Sequence, residues 1–318
     1  MKKYMVTGGA GFIGSHLVDK LLDENHEVTI YDNFSTGKLE NIRGNSTRSN
    51  YKLKIIEGDI REHSMLSEAM KGIDGVFHLA ALVSVPQSII EPDVSFDINS
   101  KGTQLVFDSA RKLGVSRVVV ASSAAVYGNC ENLPLKESEI TFPSSPYGLD
   151  KLFAEQMGNL YSTLFNLDVT CLRFFNVFGS RQPPNSPYSG VVSKFAEKTA
   201  LGLSPIIYGS GNQTRDFIYV KDVVNALILS MQSSVIGFRI YNVGTGQSLS
   251  VNSLLDIFKG FSPSDLSPEY APERVGDILK SSADISLIQR ELDFHPSLSF
   301  HENLFKTYKW SIDQSIGR

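Results

Sequence analysis

Short apolar runs alternate with longer amphipathic stretches along the first 175 residues of the chain. The apolar runs predict buried strands at 2–7, 27–31, 52–57, 75–80, 117–121 and 168–174. The stretches between them predict helices at 12–24, 62–71, 92–113 and 146–165. Strands that alternate with helices indicate a parallel sheet covered on both faces. The expected fold class is therefore α/β, with a doubly wound parallel sheet.

The pattern changes beyond residue 175. It predicts a helix at 189–202, a short strand at 206–208, and two further strands at 217–220 and 238–243 with a helix between them. We expect these last two strands to return to the main sheet. The predicted division is a nucleotide-binding domain of residues 1–175, to which 216–243 returns, and a smaller discontinuous substrate lobe of residues 176–215 and 244–318.

A glycine-rich turn follows the first strand, with Gly8, Gly9, Gly11 and Gly14 leading into the predicted helix. Glycine is needed there because a side chain would block the tight turn and the approach of a pyrophosphate. The N-terminus of the helix offers unpaired N–H groups to the phosphates. The order of strand, turn, helix and strand favours a dinucleotide-binding Rossmann fold over the alternative of a glycine-rich turn that binds nothing.

Acidic and small residues lie where the predicted strands end. Asp32 ends the second strand, where its carboxylate can accept both ribose hydroxyls and would repel a 2′-phosphate, which favours NAD over NADP. A plain solvated acid is the alternative for Asp32. Ligands of doubly wound sheets bind beyond the carboxyl ends of the strands. We therefore expect the segments 59–60, 79–81 and 122–123 to surround the cofactor.

Tyr147 and Lys151 lie four residues apart on one predicted helix and so share a face. The ordinary pKa of tyrosine is about 10, but a nearby ammonium or a positive nicotinamide ring favours the phenolate. We predict that Lys151 holds the pKa of Tyr147 near neutrality, and that Ser123 hydrogen-bonds the same substrate oxygen. An ordinary helix face is the alternative. The glycine turn, the serine-rich strand end and Pro146 as a helix-start signal favour the catalytic interpretation.

Composition and charge narrow the function classes. The 318 residues are 42% hydrophobic and 20% charged, which is ordinary for a globular protein. A net charge of −4 indicates neither a nucleic-acid partner nor an anionic membrane surface. We find no apolar run of membrane-spanning length and no room for a signal peptide before the first strand, so we expect a cytoplasmic protein. Cys130 and Cys171 lack metal-ligand spacing and are expected to be ordinary thiols.

Several motifs in sequence order resemble the extended short-chain dehydrogenase/reductase superfamily, and more closely its nucleotide-sugar 4-epimerase branch. The motifs are TGGAGFIG (7–14), SSAAVYG (122–128), PYGLDK (146–151), RFFNVFG (173–179), QTRDFIYV (213–220) and RVGD (274–277). They cover nearly the whole chain. Their number and order make the resemblance more specific than any one of them.

The resemblance implies a catalytic triad of Ser123, Tyr147 and Lys151, with NAD as the cofactor. Together with the strand-end argument it gives these cofactor-contacting residues: Gly8, Gly11, Phe12, Ile13, Gly14, Asp32, Asn33, Asp59, Ile60, Leu79, Ala80, Ala81, Asn99, Ser122, Tyr147 and Lys151. The substrate contacts that it implies are Ser84, Ser123, Asn176, Arg215, Arg274, Asp277 and Ser281.

Arginine is suited to a diphosphate because its planar fork donates two aligned hydrogen bonds. This favours diphosphate contacts for Arg215 and Arg274. Surface salt bridges to the adjacent Asp216 or to Asp277 are the alternative for these two arginines.

Residues 124 and 125 depart from part of the superfamily. Sugar-nucleotide 4,6-dehydratases have an Asp-Glu pair after the catalytic hydroxyl residue, and decarboxylating relatives have a glutamate there. Ala124 and Ala125 provide no acid for elimination, whereas epimerisation needs none. The resemblance therefore implies NAD-dependent 4-epimerisation of a UDP-hexose through a transient 4-keto sugar.

The resemblance places Ser281 against the hexose, where a small residue is typical of epimerases that accept 2-acetamido sugars. The preferred substrates are then UDP-N-acetylglucosamine and UDP-N-acetylgalactosamine, with activity on UDP-glucose and UDP-galactose. If Ser281 is merely a small loop residue, an epimerase restricted to plain hexoses remains open. A nucleotide-sugar dehydratase or reductase remains open as well, and so does a non-catalytic NAD-binding regulator.

Two helices, near 94–112 and 150–165, resemble those that pair in dimers of the family. They contain the apolar residues Phe96, Leu105, Val106, Leu152, Phe153 and Leu160. We therefore expect a homodimer. The alternative is that all six side chains belong to the intramolecular core.

Overall fold

The computed structural model describes residues 1–42, 52–184, 190–262, 264, 266–273 and 278–316. Its strands are β1 (Lys3–Thr7), β2 (Glu27–Asp32), β3 (Leu53–Glu57), β4 (Gly75–His78), β5 (Arg117–Ser123), β6 (Asp168–Phe174), β7 (Asn176–Phe178), β8 (Ile206–Tyr208), β9 (Thr214–Arg215), β10 (Phe217–Tyr219), β11 (Phe238–Val243), β12 (Leu249–Ser250) and β13 (Glu269–Ala271). Its α-helices are α1 (Phe12–Asp23), α2 (His63–Ala69), α3 (Val85–Ile90), α4 (Pro92–Phe96), α5 (Thr103–Lys112), α6 (Pro146–Phe165), α7 (Val191–Ala200), α8 (Val220–Gln232), α9 (Val251–Lys259), α10 (Ser286–Leu292) and α11 (Phe300–Ile316).

Within the described residues, seven parallel strands form the main sheet in the order β3-β2-β1-β4-β5-β6-β11. The strand order reverses between β1 and β4, because the chain moves outward from β1 in one direction and later in the other. This is the topological switch point at which doubly wound sheets bind their ligands. The predicted fold class is confirmed.

The sheet buries side chains on both faces. Along β1, Tyr4 and Val6 belong to one apolar cluster and Met5 to another, as expected when successive strand residues point to opposite faces. Leu17 of α1 packs in the first cluster, and Phe107 of α5 packs in the second. Helices therefore cover both faces of the sheet.

The predicted helix at 92–113 is interrupted. It comprises α4, a π-helical segment at Asp97–Gly102, and α5. The wider turn lies where Gly102 meets a neighbouring loop, and a Cβ on Gly102 would be 2.6 Å from the Cδ1 of Ile60. Hydrophobic periodicity did not reveal this segment because the apolar pattern continues through it.

Of the two strands predicted to return to the main sheet, β11 does so and β10 does not. β11 joins the main sheet along the outer edge of β6, with Phe238 opposite Val169. β10 does not join that sheet and pairs instead with β7, with Phe217 opposite Asn176. The physical reason is that β5 and β11 already pair with the two edges of β6.

A third apolar cluster lies in the region predicted to form the substrate lobe. It includes Phe178, Phe195, Phe258 and Tyr308, contributed by β7, α7, α9 and α11. The short sheets β12–β9 and β13–β8 connect segments of the same region. The predicted boundaries of the two domains remain a prediction.

Two further properties bear on the class of protein. Among the described helices, none combines the length and the apolar character needed to cross a bilayer. Cys130 and Cys171 are both free thiols.

Candidate functional site

The glycine turn between β1 and α1 leaves no space for side chains. Gly8 has a φ of +70°, and a Cβ there would be 2.8 Å from the backbone nitrogen of Ala80. A Cβ on Gly14 would overlap the carbonyl oxygen of Gly8. Gly11 is the N-cap residue of α1 and has no side chain to cap the helix, so the N–H groups of the first turn remain accessible to an anion. The residues present therefore fit the pyrophosphate of a dinucleotide.

Asp32 is buried at the end of β2, which contradicts the alternative of a solvated acid. Its Oδ2 accepts from the backbone N–H of Ala10 at 2.9 Å, and its Oδ1 accepts from that of Phe34 at 2.8 Å. Burial raises the pKa of Asp32, and the two backbone hydrogen bonds oppose that rise. Each oxygen keeps a further acceptor position, which is compatible with the predicted ribose contact.

The ends of β2 and β3 are joined through Asp59. Its carboxylate accepts from Asn33 Nδ2 at 2.9 Å and from Arg61 through both Nε and Nη2. The Arg61 guanidinium holds the pKa of Asp59 well below its usual range. The adjacent Ile60 is buried. These predicted cofactor contacts therefore share one rim of the site.

A buried hydrogen-bond chain shapes the loop that follows β4. Thr7 Oγ1 accepts from the backbone N–H groups of Leu79 and Ala80, at 3.2 and 3.3 Å. The ring of His78 bridges Thr7 Oγ1 at 2.8 Å and Thr103 Oγ1 at 2.9 Å. Burial lowers the pKa of His78 to about 3, so the ring is neutral. This chain places the backbone of 79–81 directly beside the glycine turn.

Asn99 holds the next part of the same loop. Its Oδ1 accepts from the N–H of Leu82 at 2.8 Å, and its Nδ2 donates to the carbonyl oxygen of Leu82 at 3.0 Å. Ser84 caps α3, because its Oγ accepts from the N–H of Gln87 at 3.0 Å. Asn99 thus supports the predicted cofactor site from behind, and Ser84 has a structural use besides its predicted sugar contact.

The three predicted catalytic residues converge. α6 begins at Pro146, as predicted, and places Tyr147 and Lys151 on its buried face. Ser123 lies at the end of β5, where its hydroxyl lowers the pKa of Tyr147 and its Oγ accepts from the backbone N–H of Ala125 at 3.1 Å. The Nζ of Lys151 lies 5.8 Å from the centroid of the Tyr147 ring and donates to the carbonyl oxygen of Ala121 at 2.8 Å. The end of β5 is therefore bonded directly to the catalytic helix.

The predicted acidity of Tyr147 is wrong for the chain alone. Burial raises the pKa of Tyr147, and the hydrogen bond with Ser123 opposes that rise. Burial also lowers the pKa of Lys151 to about 8. The prediction rested on the charge of Lys151, whereas desolvation, which penalises the charged forms of both groups, is the largest influence on each.

A buried ion pair beneath the triad was missed by the sequence analysis. Glu155, one turn beyond Lys151, accepts two hydrogen bonds from Arg173, at 2.9 and 2.7 Å. It also accepts from Ser122 Oγ at 2.6 Å. Ala121 and Ser122 at the end of β5 thus bond to Lys151 and Glu155 of α6. The only sequence signal was the spacing of Glu155, eight residues after Tyr147 on one helix face.

A cavity of about 190 Å³ opens beside Ser123. Of the residues predicted to contact the substrate, it brings together Ser123, Asn176, Arg215 and Ser281. Ala124 and Ala125 also line it, so the predicted lack of an acid applies to the cavity itself. Arg274 and Asp277 lie outside the described residues.

Further residues of this cavity were not predicted to contact the substrate. They are Gly128, Cys130, Leu135, Phe174, Phe175, Ile278 and Lys280. The backbone of β9 bonds to Leu279 and Ser281 and so holds the 278–281 segment against the cavity. This contact joins segments about 65 residues apart and cannot be read from local spacing.

Asp216 bonds to residues other than Arg215, contrary to the salt-bridge alternative for that pair. Asp216 is fully buried and accepts from Thr245 Oγ1 at 2.7 Å and from the N–H groups of Gly246 and Ala283. Arg215 Nη1 donates to the carbonyl oxygen of Thr214 at 2.9 Å, and the residue lines the cavity. Asp216 therefore fixes the backbone from which Arg215 extends.

Comparisons with known proteins agree with this geometry. A UDP-N-acetylglucosamine 4-epimerase from Methanobrevibacter ruminantium, solved with UDP-N-acetylmuramic acid, is 44% identical with a TM-score of 0.94, over 98% of this chain and 99% of that one. A UDP-glucose 4-epimerase from Mycolicibacterium smegmatis is 35% identical over 98% of this chain and 99% of its own length. UDP-glucuronic acid decarboxylase 1 from Danio rerio is 32% identical over 97% of this chain and 72% of its own length.

The model of one enzyme family matches residues 4–244, which span the glycine turn, the triad and the strands that position them. Its cofactor is NAD, in keeping with the fit of the glycine turn and of Asp32. The chain belongs to the NAD dependent epimerase/dehydratase family, within the extended short-chain dehydrogenases/reductases.

Proposed function

We propose that this chain interconverts the 4-epimers UDP-N-acetylglucosamine and UDP-N-acetylgalactosamine, and that it also acts on UDP-glucose and UDP-galactose. The supporting observation is the convergence of Ser123, Tyr147 and Lys151 beside a cavity that Ser281 also lines. A purified preparation given each of the four UDP-sugars, without added NAD, tests this proposal. Formation of the 4-epimer supports it. Binding without any product supports the non-catalytic regulator instead.

NAD held by the glycine turn and Asp32 would supply the hydride acceptor and donor that inversion at C4 of the sugar requires. Tyr147 accepts the proton of the 4-hydroxyl and gives it back to the 4-keto sugar after the ring has turned. The hydroxyl of Ser123, which lines the cavity and lowers the pKa of Tyr147, donates to the same oxygen. Lys151 provides the positive charge that opposes the desolvation of the phenolate. Each of these residues ends the reaction in the protonation state in which it began.

The nucleoside diphosphate must stay in place while the ring turns. Asn176 and Arg215 line the cavity and are suited to contact it, with Arg274 as a further predicted contact. The Nδ2 of Asn176 donates to the carbonyl oxygen of Asp216 at 3.0 Å, which fixes the amide. We infer that this end of the cavity anchors the diphosphate and leaves the sugar end free to reorient.

Elimination and decarboxylation are disfavoured as the reaction. Ala124 and Ala125 lie on the cavity wall, directly after Ser123, and offer no acidic group. Their methyl groups can neither protonate a leaving hydroxyl nor assist loss of a carboxylate. Incubation with UDP-glucuronic acid should therefore release no carbon dioxide.

The acetamido preference depends on the size of residue 281. Ser281 is buried on the cavity wall, and its N–H donates to the carbonyl oxygen of Thr214 at 3.1 Å, which fixes its position. Ser281→Tyr should lower turnover of the acetamido sugars and spare the plain hexoses. Ser64→Tyr on the exposed face of α2 is the matched control. Unchanged acetamido turnover in Ser281→Tyr would reject the size argument.

A homodimer is part of the proposal. Phe96, Leu160 and Leu164 are at least half exposed, and the rings of Phe96 and Phe153 lie 6.2 Å apart across α4 and α6. Val106, in contrast, is fully buried in the chain's own core, so its predicted interface role is wrong. A light-scattering mass of one chain would reject the dimer.

A further inference from the structure

Asn242 is a fully buried amide near the carboxyl end of β11. Its neighbours along the strand, Tyr241 and Val243, belong to the apolar core. A polar side chain in such surroundings is costly unless its hydrogen bonds are made. The partners of this amide therefore indicate what it does.

The amide of Asn242 bonds to three separate segments of the chain. Its Oδ1 accepts from the hydroxyl of Tyr127 at 2.6 Å. Its Nδ2 donates to the carbonyl oxygen of Leu135 at 2.8 Å and to that of Asp284 at 3.2 Å. Carbonyl oxygens can only accept, so the nitrogen must face these two and the oxygen must face the phenol. Of the side chains of this size, only asparagine offers that combination of an acceptor and two donors.

Two of the three segments are also paired with each other beside the cavity. The N–H of Leu135 donates to the carbonyl oxygen of Ser282, and the carbonyl oxygen of Leu135 accepts from the N–H of Asp284, each at 2.8 Å. Leu135 lines the cavity, and so does Ser281, which directly precedes Ser282. The separation of these two cavity walls therefore depends on a pairing that Asn242 bonds on both sides.

The third segment is the turn that follows the catalytic serine. Tyr127 ends the turn Ala124–Tyr127, whose first residues line the cavity next to Ser123. The ring of Tyr127 is buried, with the Cζ of Arg173 at 4.7 Å from its centroid. Its hydroxyl is therefore held in one place, and its bond to Asn242 sets the position of the turn relative to the other two walls.

We propose that Asn242 is a positioning residue for the sugar: one buried amide holds three walls of the cavity at a fixed separation and so determines how the hexose is bound. In this role Asn242 acts through the walls and not by contact with the sugar. The diphosphate contacts proposed above, Asn176 and Arg215, belong to β7 and β9 instead. Loss of the amide should therefore weaken binding of the sugar part and spare the nucleotide part. The inference rests on the proposed function, since the cavity is taken as the hexose site.

The test measures ligand binding to the holoenzyme, with Tyr147→Phe as the common background so that no sugar is converted during the titration. Calorimetry gives the dissociation constants of UDP, UDP-glucose and UDP-N-acetylglucosamine. Asn242→Asp keeps the shape of the side chain and replaces its two donated hydrogen bonds with repulsion between oxygen atoms. It should weaken binding of both UDP-sugars at least about fivefold and leave that of UDP within about twofold.

Arg117→Met is the matched control, because Arg117 is another buried side chain that holds backbone carbonyl groups. It lies at the amino end of β5 and donates to the carbonyl oxygens of Ser230, Ser233 and Val235. Its replacement should lower the melting temperature and leave the affinity for UDP relative to the UDP-sugars unchanged. A purely structural role of Asn242 would give this same result.

The proposal is overturned if the folded Asn242→Asp variant changes its affinity for UDP and for the UDP-sugars alike, or changes neither. Should that variant fail to fold, Tyr127→Phe decides, because it removes only the hydrogen bond to Oδ1. A selective loss of UDP-sugar affinity then supports the proposal, and equal affinities for all three ligands before and after the substitution overturn it. The titration needs no turnover, so absence of epimerase activity in the wild type refutes the proposed function separately.

Discussion

The Nζ of Lys151 lies 5.8 Å from the centre of the Tyr147 ring, one helical turn away on the same buried face. One donor of that ammonium is used by the carbonyl oxygen of Ala121. An ammonium has three donors, so two remain for the cofactor and substrate contacts that we propose. The positive charge of Lys151 is therefore available for both the binding and the proton transfer that we propose.

Lys151→Met should reduce kcat by about 10²–10⁴-fold, the range over which a positioned acid–base pair contributes. Methionine keeps the length of the side chain and removes its charge. The measurement is steady-state epimerisation, alongside Lys71→Met as a control on the exposed surface pair with Glu68. Full activity in Lys151→Met would remove the lysine from the mechanism.

Tyr147 should titrate above pH 10 in the cofactor-depleted protein, because burial raises its pKa above the ordinary value. A phenol whose pKa is raised in the folded state stabilises that state below about pH 10, and this contribution is lost as the pH rises through the folded-state pKa. The phenolate absorbance near 295 nm, taken as wild type minus Tyr147→Phe, measures it. Reloading NAD should lower the pKa of Tyr147. Ionisation near pH 7 without cofactor would contradict the burial argument.

Gly14→Ala should weaken NAD binding at least about tenfold, or ~1.4 kcal/mol. Its new Cβ would overlap the carbonyl oxygen of Gly8, so the turn must open. The NAD retained after gel filtration reports the effect. Gly190→Ala is the matched control, because its Cβ would be 3.5 Å from Gln182 Nε2 with ordinary backbone geometry. Equal retention by the two variants would show that the turn does not hold the pyrophosphate.

Glu155→Gln should lower the free energy of unfolding by about 3–5 kcal/mol, because it leaves the guanidinium of Arg173 buried without a charged partner. Glu302→Gln removes an exposed pair with Lys306, which solvent screens, and should leave the free energy of unfolding nearly unchanged. Urea titration measures both. The double variant Glu155→Leu/Arg173→Met should lose less free energy of unfolding than the sum of the losses in Glu155→Leu alone and Arg173→Met alone. Additive losses would mean that the pair is not coupled.

The order of elements and the positions of the glycine turn and the Tyr147–Lys151 pair could be predicted from the sequence. Those features depend on local spacing, which a helix or a strand end converts directly into a shared face. The strands of the main sheet follow from their apolar runs in the same way.

The remaining features depend on contacts between distant segments. β10 pairs with β7 because β11 occupies the edge of β6, and no local pattern records that competition. The raised pKa of Tyr147 follows from its burial in the folded chain, which spacing along one helix does not reveal. Lys280 and Cys130 reach the cavity only through the folding of separate loops.

The most direct test of 4-epimerisation uses UDP-N-acetylglucosamine deuterated at C4, incubated with the purified protein without added NAD. We expect UDP-N-acetylgalactosamine that retains its deuterium at C4, observed by NMR and mass spectrometry, because the hydride leaves and returns within one site. Absence of the epimer, or an epimer whose deuterium has been lost to water, would contradict the account.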